Sequence, residues 1–401
     1  MHSKKHFGLG LVVLAGLGTA MCSSPAPQGA DAPPQAGAAA PSDAPPQFEV
    51  DASWPKPYPN KWKIGGVTGL AVDKDDNVWV YNRPNDTTPG EDNATPPNPT
   101  AACCIRPPSM IHIDKSGNVI GSFDAPQGHG MGVDSQGFVY LGQNTVRKYD
   151  PKTGTVVKEL PRVPEAARSG PGGTINDPKL PDADKAAIAA YRTKYPPETP
   201  MIVGGIEEIR FDEPVREMYV TDSYLGGRML VFDMDTFAFK RGWGAYGKPL
   251  AQISVDDADH VYRPNGPMPK DFAGHLTQHM SNDGMVYLAD RFANRIQVTD
   301  KQGKYMNKEF ILAPSTGEGG STGGIAFSPD RAQRMLFISD LTNNHIWFLN
   351  RADGKVLGQM GSMGENGGQW FGLHMIAVDS KGNIYTGEVF NGERVQRFVP
   401  N

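Results

Sequence analysis

Cysteine is scarce in this chain: three residues in 401. One of them, Cys22, sits at the end of an N-terminal segment, and the other two are neighbours, Cys103-Cys104. A metal site built on that pair would need further ligands close by. Long apolar runs are absent after residue 21, so no later stretch can span a bilayer as a helix. Excess positive charge is also missing. A formal charge of −5 and a pI near 6.0 remove any electrostatic case for nucleic acid as a partner. Only 38% of the residues are hydrophobic, while glycine (47) and proline (35) are abundant. That balance favours many short strands joined by turns over long helices.

The first 22 residues have the build of an export signal: Lys4 and Lys5, then the apolar stretch GLGLVVLAGLGTAM, then Cys22. A cysteine here, followed by Ser23 and Ser24, resembles a bacterial lipoprotein signal, although Met21 stands where a small residue is usual. Lipidation of Cys22 is the expectation, with ordinary cleavage nearby as the alternative. Residues 23–46 are almost all Pro, Ala, Ser, Gly and Asp, a composition that cannot bury a core and predicts a disordered tether. The expected product is an exported protein, periplasmic or held at the cell envelope only through its lipid. Its folded domain spans residues 47–401 and acts as a monomer.

A repeat organises that domain. Six copies of an apolar strand, an Asp-containing turn and a second strand begin at GLAVDKDDNVWVYNR, HGMGVDSQGFVYLG, IEEIRFDEPVREMYVTD, HLTQHMSNDGMVYLAD, GGIAFSPDRAQRMLFISD and HMIAVDSKGNIYTGE. Alternation with period 2 and Asp/Gly turns predicts four-stranded antiparallel meanders, and six of them predict an all-β, six-bladed β-propeller. The sixth copy ends one strand short, and FEVD (48–51) can supply that strand and close the ring. Two long connections interrupt the spacing. Residues 84–108 carry the cysteine pair, and residues 163–203 contain PDADKAAIAAYRTKY, a short helical pattern. Loops of this length are expected to be lids or binding elements. Adjacent cysteines rarely bridge each other, yet an exported pair can close a vicinal disulfide. A structural place in the loop is the expectation for Cys103 and Cys104.

In a propeller blade the innermost strand begins, and the second strand ends, on the same face of the disc. His129, His275 and His374 open the second, fourth and sixth copies. Alternate blades would bring three imidazoles around one axis, a set suited to zinc or another divalent transition metal with open positions. His275 stands one residue earlier in its phrase than the others, which makes His279 its competitor. His112 and His345 fall in outer strands and His260 in a loop. The ends of the second strands put Arg83, Tyr224 and Arg291 on the same rim, with Gln143, Leu341 and Val389 at the corresponding turns. A tyrosine between two cations is a candidate general base, because both would lower its pKa. The arginines could also clamp a carboxylate, or be tied up in ion pairs with Asp222 and Asp290.

These positions resemble the catalytic core of peptidyl-α-hydroxyglycine α-amidating lyases, six-bladed propellers of the NHL-repeat superfamily, over residues 64–400. The resemblance implies zinc on His129, His275 and His374, a catalytic tyrosine at Tyr224 in the turn Thr221-Asp222-Ser223-Tyr224, and active-site arginines at Arg83 and Arg291. It implies cleavage of a carbinolamide into a primary amide and glyoxylate, on a small or peptide substrate bearing a carboxylate. The match is not complete. Met375 replaces the aspartate that helps to hold a structural Ca2+ in that family, Gly372 replaces a methionine, and the family's disulfides are missing. Two other classes compete. One is a non-enzymatic propeller that binds a ligand on this rim. The other is a metal-dependent lactonase-like hydrolase using Asp222, Asp290 and Glu388 at the strand ends.

Overall fold

The computed structural model describes residues 44–164, 181–312, 319–389 and 391–401. The signal, Cys22 and nearly all of the tether lie outside these residues. Six four-stranded antiparallel sheets succeed one another along the chain. Their first, innermost strands are Gly66–Val72, Met131–Val133, Gly205–Asp212, Leu276–Met280, Gly324–Phe327 and Leu373–Val378. Each innermost strand packs against that of the next blade, and the sixth packs against the first, so the ring is closed. The protein is a six-bladed β-propeller. The last blade is completed by Phe48–Val50, which pairs antiparallel with Val395–Pro400 in the register Phe48 to Pro400. No helix among the described residues is long and apolar enough to cross a membrane.

The fold follows from where the apolar residues fall. Six buried clusters fill the six seams between neighbouring blades; one joins Val67 and Leu70 to Met375 and Tyr385, another joins Tyr140 and Val146 to Ile206 and Ile209. Stability therefore comes from contacts between neighbouring repeats. A buried aromatic recurs at one register of every second strand: Trp79, Tyr140, Tyr219, Tyr287, Phe337 and Tyr385. Its partners on the innermost strands are Ala71, Gly132, Arg210, His279, Ala326 and Ala377. The turns between first and second strands are held by their aspartates. Asp134 accepts from the backbone N–H of Gln136 and Phe138, and Asp379 from those of Lys381 and Asn383. Gly137 and Gly382, both at φ +87°, take the left-handed step these turns require.

The two long connections differ in their use. Residues 84–108 reach the axial rim and lend it Asp86, Thr88 and Glu91. Cys103 and Cys104, in that loop, are joined in a disulfide. The second connection forms a helix, Asp182–Lys194, with Asp182 and Asp184 in its first turn and Arg192 and Lys194 in its last, which suits the helix dipole. It buries Ile188 and Tyr191 in a cluster with Val203 and Leu225. Among the described residues this helix is a buttress for the turn at Tyr224 and not a lid, since none of its residues lines the rim cleft.

Candidate functional site

One cleft of about 1080 Å³ opens at the axis. His129, His275, His374, Arg83, Tyr224 and Arg291 all line it, as do Gln143, Leu341 and Val389. The innermost strand starts and second strand ends therefore share one rim.

Backbone bulges aim the side chains. In the first blade Val67 pairs with Asn82 and Gly69 with Tyr81, leaving Thr68 as the extra residue. In the sixth, Leu373 pairs with Glu388 and Met375 with Gly387, leaving His374. In the second, Gly142 accepts from His129 N and donates to Gly130 O, so two residues again face one. In the third, Ile206 pairs with Asp222 and Ile209 with Val220, so Glu207 and Glu208 together face Thr221. A bulge inserts one residue and turns it out of the regular alternation. Here it turns a polar residue toward the axis while the rest of the strand keeps its apolar partners.

This corrects the register expected for the histidines. The fourth blade has no bulge: Leu276 pairs with Asp290, and His275 O accepts from Arg291 N. His275 thus reaches the rim from one position further out, topologically where Gly372 lies in the sixth blade, whose O accepts from Val389 N. The residue sharing the register of His129 and His374 is Glu207. His279 is not a competitor, because it faces Tyr287 and its ring meets Phe327 edge-on at 5.0 Å. Glu207 was legible in one respect. Like His129 and His374, it stands three residues before the position that faces the recurring aromatic.

His129 Nε2 and His374 Nε2 lie 3.2 Å apart, although 245 residues separate them in the chain. Both rings are buried, and their Nδ1 atoms have no hydrogen-bond partner among the described residues. Burial pushes the His129 imidazolium down to about 3 and His374 well below the usual range, so both are neutral at pH 7. Glu207 is 1% exposed. Burial pushes its carboxyl up, but the contact with His275 and the nearby Arg291 guanidinium outweigh it and hold the group below its ordinary value. Its Oε1 is in close contact with His275 Nδ1 and lies 4.0 Å from His129 Nε2. His275 is held below its ordinary value, by burial first and then by Arg291. Glu207 Oε1 is thus the carboxylate oxygen that faces His275 Nδ1, and neither atom has another hydrogen-bond partner among the described residues.

Tyr224 has φ +53°, an uncommon conformation for an aromatic residue that costs roughly 1–3 kcal/mol. Its ring meets His275 edge-on at 4.5 Å. Gly205 makes room for it, since a Cβ there would stand 2.6 Å from Tyr224 Cδ2. The expected drop in its pKa does not occur. Arg291 and Arg83 do pull the phenol down, but burial first, and then Glu207, push it above its ordinary value, so Oη keeps its proton. Arg291 is buried, with Nε unpartnered among the described residues and its guanidinium 5.3 Å over the Phe292 ring. Arg83 is part exposed; its Nε donates to Gly128 O at 3.3 Å and its Nη1 lies 3.9 Å from Asp86.

Neither arginine pairs with Asp222 or Asp290. Those carboxylates belong to Arg228 at 2.8 Å and Arg295 at 3.0 Å, all four residues fully buried. Glu388 is likewise taken by Arg394. None of the three lines the cleft. They fasten the blades, and so are not available as the acidic ligand set that a lactonase-like reading would need. The remaining histidines among the described residues are also committed to structure. His112 pairs with Asp73 at 2.9 Å and stacks on Trp79, His260 bonds to Phe272 O and Ser254 O, and His345 lies 3.8 Å from Asp340.

Among the described residues, no group of three or more His, Cys, Asp or Glu side chains is placed to hold a metal ion. The fit to a metal is carried by the facing pair. Metal–nitrogen bonds of about 2.0–2.1 Å at a tetrahedral angle put two nitrogens about 3.3 Å apart, and His129 and His374 stand at 3.2 Å. Two neutral rings that present Nε2 to each other can share one proton or turn both lone pairs on a cation.

Fold and site define a six-bladed propeller with a buried His, Glu, Tyr and Arg constellation at one end of its axis. No protein-family model and no curated protein matches the sequence. Among solved structures the chain is similar to a selenomethionine-substituted virginiamycin B lyase from Staphylococcus aureus. The two share 13% identity with a TM-score of 0.43, over 88% of this chain and 89% of that one.

Proposed function

We propose that the protein is an exported metal-dependent carbon–nitrogen lyase acting on a carboxylate-bearing carbinolamide, in the manner of the amidating lyases it resembles. The observation that carries this reading is the apposition of His129 Nε2 and His374 Nε2 in a cleft that also holds two arginines and a tyrosine. His129, His374 and His275 would hold the metal, with zinc expected. A divalent ion there supplies Lewis acidity toward the substrate hydroxyl oxygen.

The rest falls to the side chains. Arg291, buried and with Nε unpaired among the described residues, binds the carboxylate, and Arg83 across the cleft completes the clamp. Cleavage moves one proton from the hydroxyl oxygen to the departing nitrogen as the carbonyl forms and the C–N bond breaks. Tyr224 Oη carries it. Because burial and Glu207 keep this phenol protonated, it enters as the acid that meets the nitrogen and is restored by the hydroxyl proton. The products are a primary amide and glyoxylate.

Two measurements test this. Elemental analysis of the purified chain should find about one zinc or similar ion per molecule, lost in the His129→Ala, His374→Ala double variant. Incubation with an α-hydroxyglycine compound should release glyoxylate. Equal metal content in both proteins would sink the metal site and favour a propeller that only binds ligands. Metal without glyoxylate release would leave the site and remove this substrate.

A further inference from the structure

Glu207 is a buried carboxyl group in close contact with a ring that the reading above makes a metal ligand. Sinking a carboxylate this deep is costly unless it is paired and hydrogen-bonded. Its position is specific. It occupies the third-blade bulge, in the register that His129 and His374 occupy in theirs. It stands behind the rim: Ile206, His129 and His275 line the cleft, and Glu207 does not. A group placed there reaches the ligand-bearing rings and the Tyr224 phenol, while the cleft surface itself is left to others.

We infer that Glu207 is a positioning residue, locking His275 as the Nδ1–H tautomer so that Nε2 is the unprotonated nitrogen it presents. This rests on the reading of His275 as a metal ligand. The need for such a lock follows from the backbone. His129 and His374 are aimed by bulges, whereas His275 comes from an unbulged strand one position further out, and its ring is held instead by its neighbours, edge-on to Tyr224 and Phe292 and against Glu207. A neutral imidazole carries one N–H, and the acceptor beside it decides which nitrogen holds it. Glu207 Oε1, in contact with His275 Nδ1, is that acceptor. Orienting carboxylates of this kind are typically worth 10–100-fold in metal affinity.

The experiment is a long-range proton–nitrogen NMR spectrum of the metal-free chain labelled with 15N-histidine, with His275 assigned through His275→Gln. The expected spectrum shows Nδ1 protonated and Nε2 bare. In Glu207→Met that preference should vanish and the zinc Kd, measured by chelator competition, should rise 10–100-fold. Glu207→Gln keeps a carbonyl acceptor and should restore part of both. Wild-type His275 protonated at Nε2 would overturn the inference without any variant. So would a folded Glu207→Met protein with unchanged tautomer and zinc affinity. The two readings separate cleanly. Zinc uptake with His275 protonated at Nε2 defeats Glu207 alone, while the Nδ1–H tautomer in a chain that takes up no zinc defeats the metal site and leaves the Glu207–His275 lock standing.

Discussion

Replacing Asp222 by Asn should be among the most damaging single changes in the molecule, although it deletes no atom. Asp222 accepts from Gly204 N at 2.8 Å, Val203 N at 3.2 Å and Arg228 Nε at 2.9 Å. Arg228 also donates to Met201 O at 2.7 Å and to Pro197 O. The pair thus ties the segment that follows the helix to the strand Glu217–Ser223, which ends just before Tyr224. Burial pushes the Asp222 carboxyl up in spite of Arg228, so the pair adds little compared with an apolar substitute. Breaking it is another matter. Asp222→Asn keeps Oδ1 for Gly204 but strands a buried guanidinium, at a cost of about 3–5 kcal/mol. With a urea m-value of about 3 kcal/mol/M, the midpoint should fall by about 1–1.7 M. The double variant Asp222→Asn, Arg228→Met removes both charges and should be more stable than the single Asn variant by about 1 kcal/mol or more. Urea titration followed by tryptophan fluorescence supplies the cycle. A single variant within about 1 kcal/mol of wild type, or strictly additive losses, would refute the reasoning.

Other expectations follow from the same structure. Glu217 is gripped through two oxygens by Arg241, at 2.8 and 2.6 Å, which brings its carboxyl down to about 2 against partial opposition from burial. A lowered folded-state value stabilises above the unfolded value near 4.5 and loses that contribution as pH falls toward 2. Glu217→Gln should therefore be less stable than wild type by on the order of 2 kcal/mol at pH 7, and denaturation at pH 7, 4 and 2.5 should show the gap closing. Phe48, stacked on Phe348 at 5.9 Å and edge-on to Phe337 at 6.0 Å, anchors the closing strand. Phe48→Ala should cost about 2 kcal/mol and raise amide exchange at Phe398, its neighbour strand's partner of Val50. Tyr224→Phe should keep its metal and lose about 10²–10⁴-fold in turnover; undiminished glyoxylate release would remove the phenol from the reaction.

The architecture was legible because it is written redundantly. Six copies of alternating strand, Asp turn and buried aromatic allow little but a propeller, and the missing strand could be found at Phe48 because the sixth copy visibly lacked one. The site was legible only as far as register reasoning reaches. Counting placed Arg83, Tyr224 and Arg291 on the rim, since strand ends in a ring share a face. It could not see the bulges. A bulge adds one residue without a sequence marker as clear as a turn glycine, so His275 was grouped with His129 and His374 when Glu207 holds that register. The direction of the Tyr224 shift was also out of reach. Two cations could be counted from the sequence, whereas the burial and the carboxylate that outweigh them depend on packing.

The bulges also separate the site from the framework, and that separation can be measured. The six seams hold the blades together through side chains on regular strand positions, while Thr68, His129, Glu207 and His374 project from inserted ones. His129 and His374 face each other across 3.2 Å, and each keeps a buried Nδ1 without a partner among the described residues. A buried polar group left unsatisfied costs about 1–3 kcal/mol, which offsets much of what truncating the rings would forfeit in packing. The His129→Ala, His374→Ala chain, compared with wild type in chelator, should therefore lie within about 1 kcal/mol in urea. Wild type should then gain stability on adding zinc, by an amount set by free zinc over Kd, and the variant should gain none. A metal-free variant that loses more than about 2 kcal/mol would mean that the two rings are part of the framework after all.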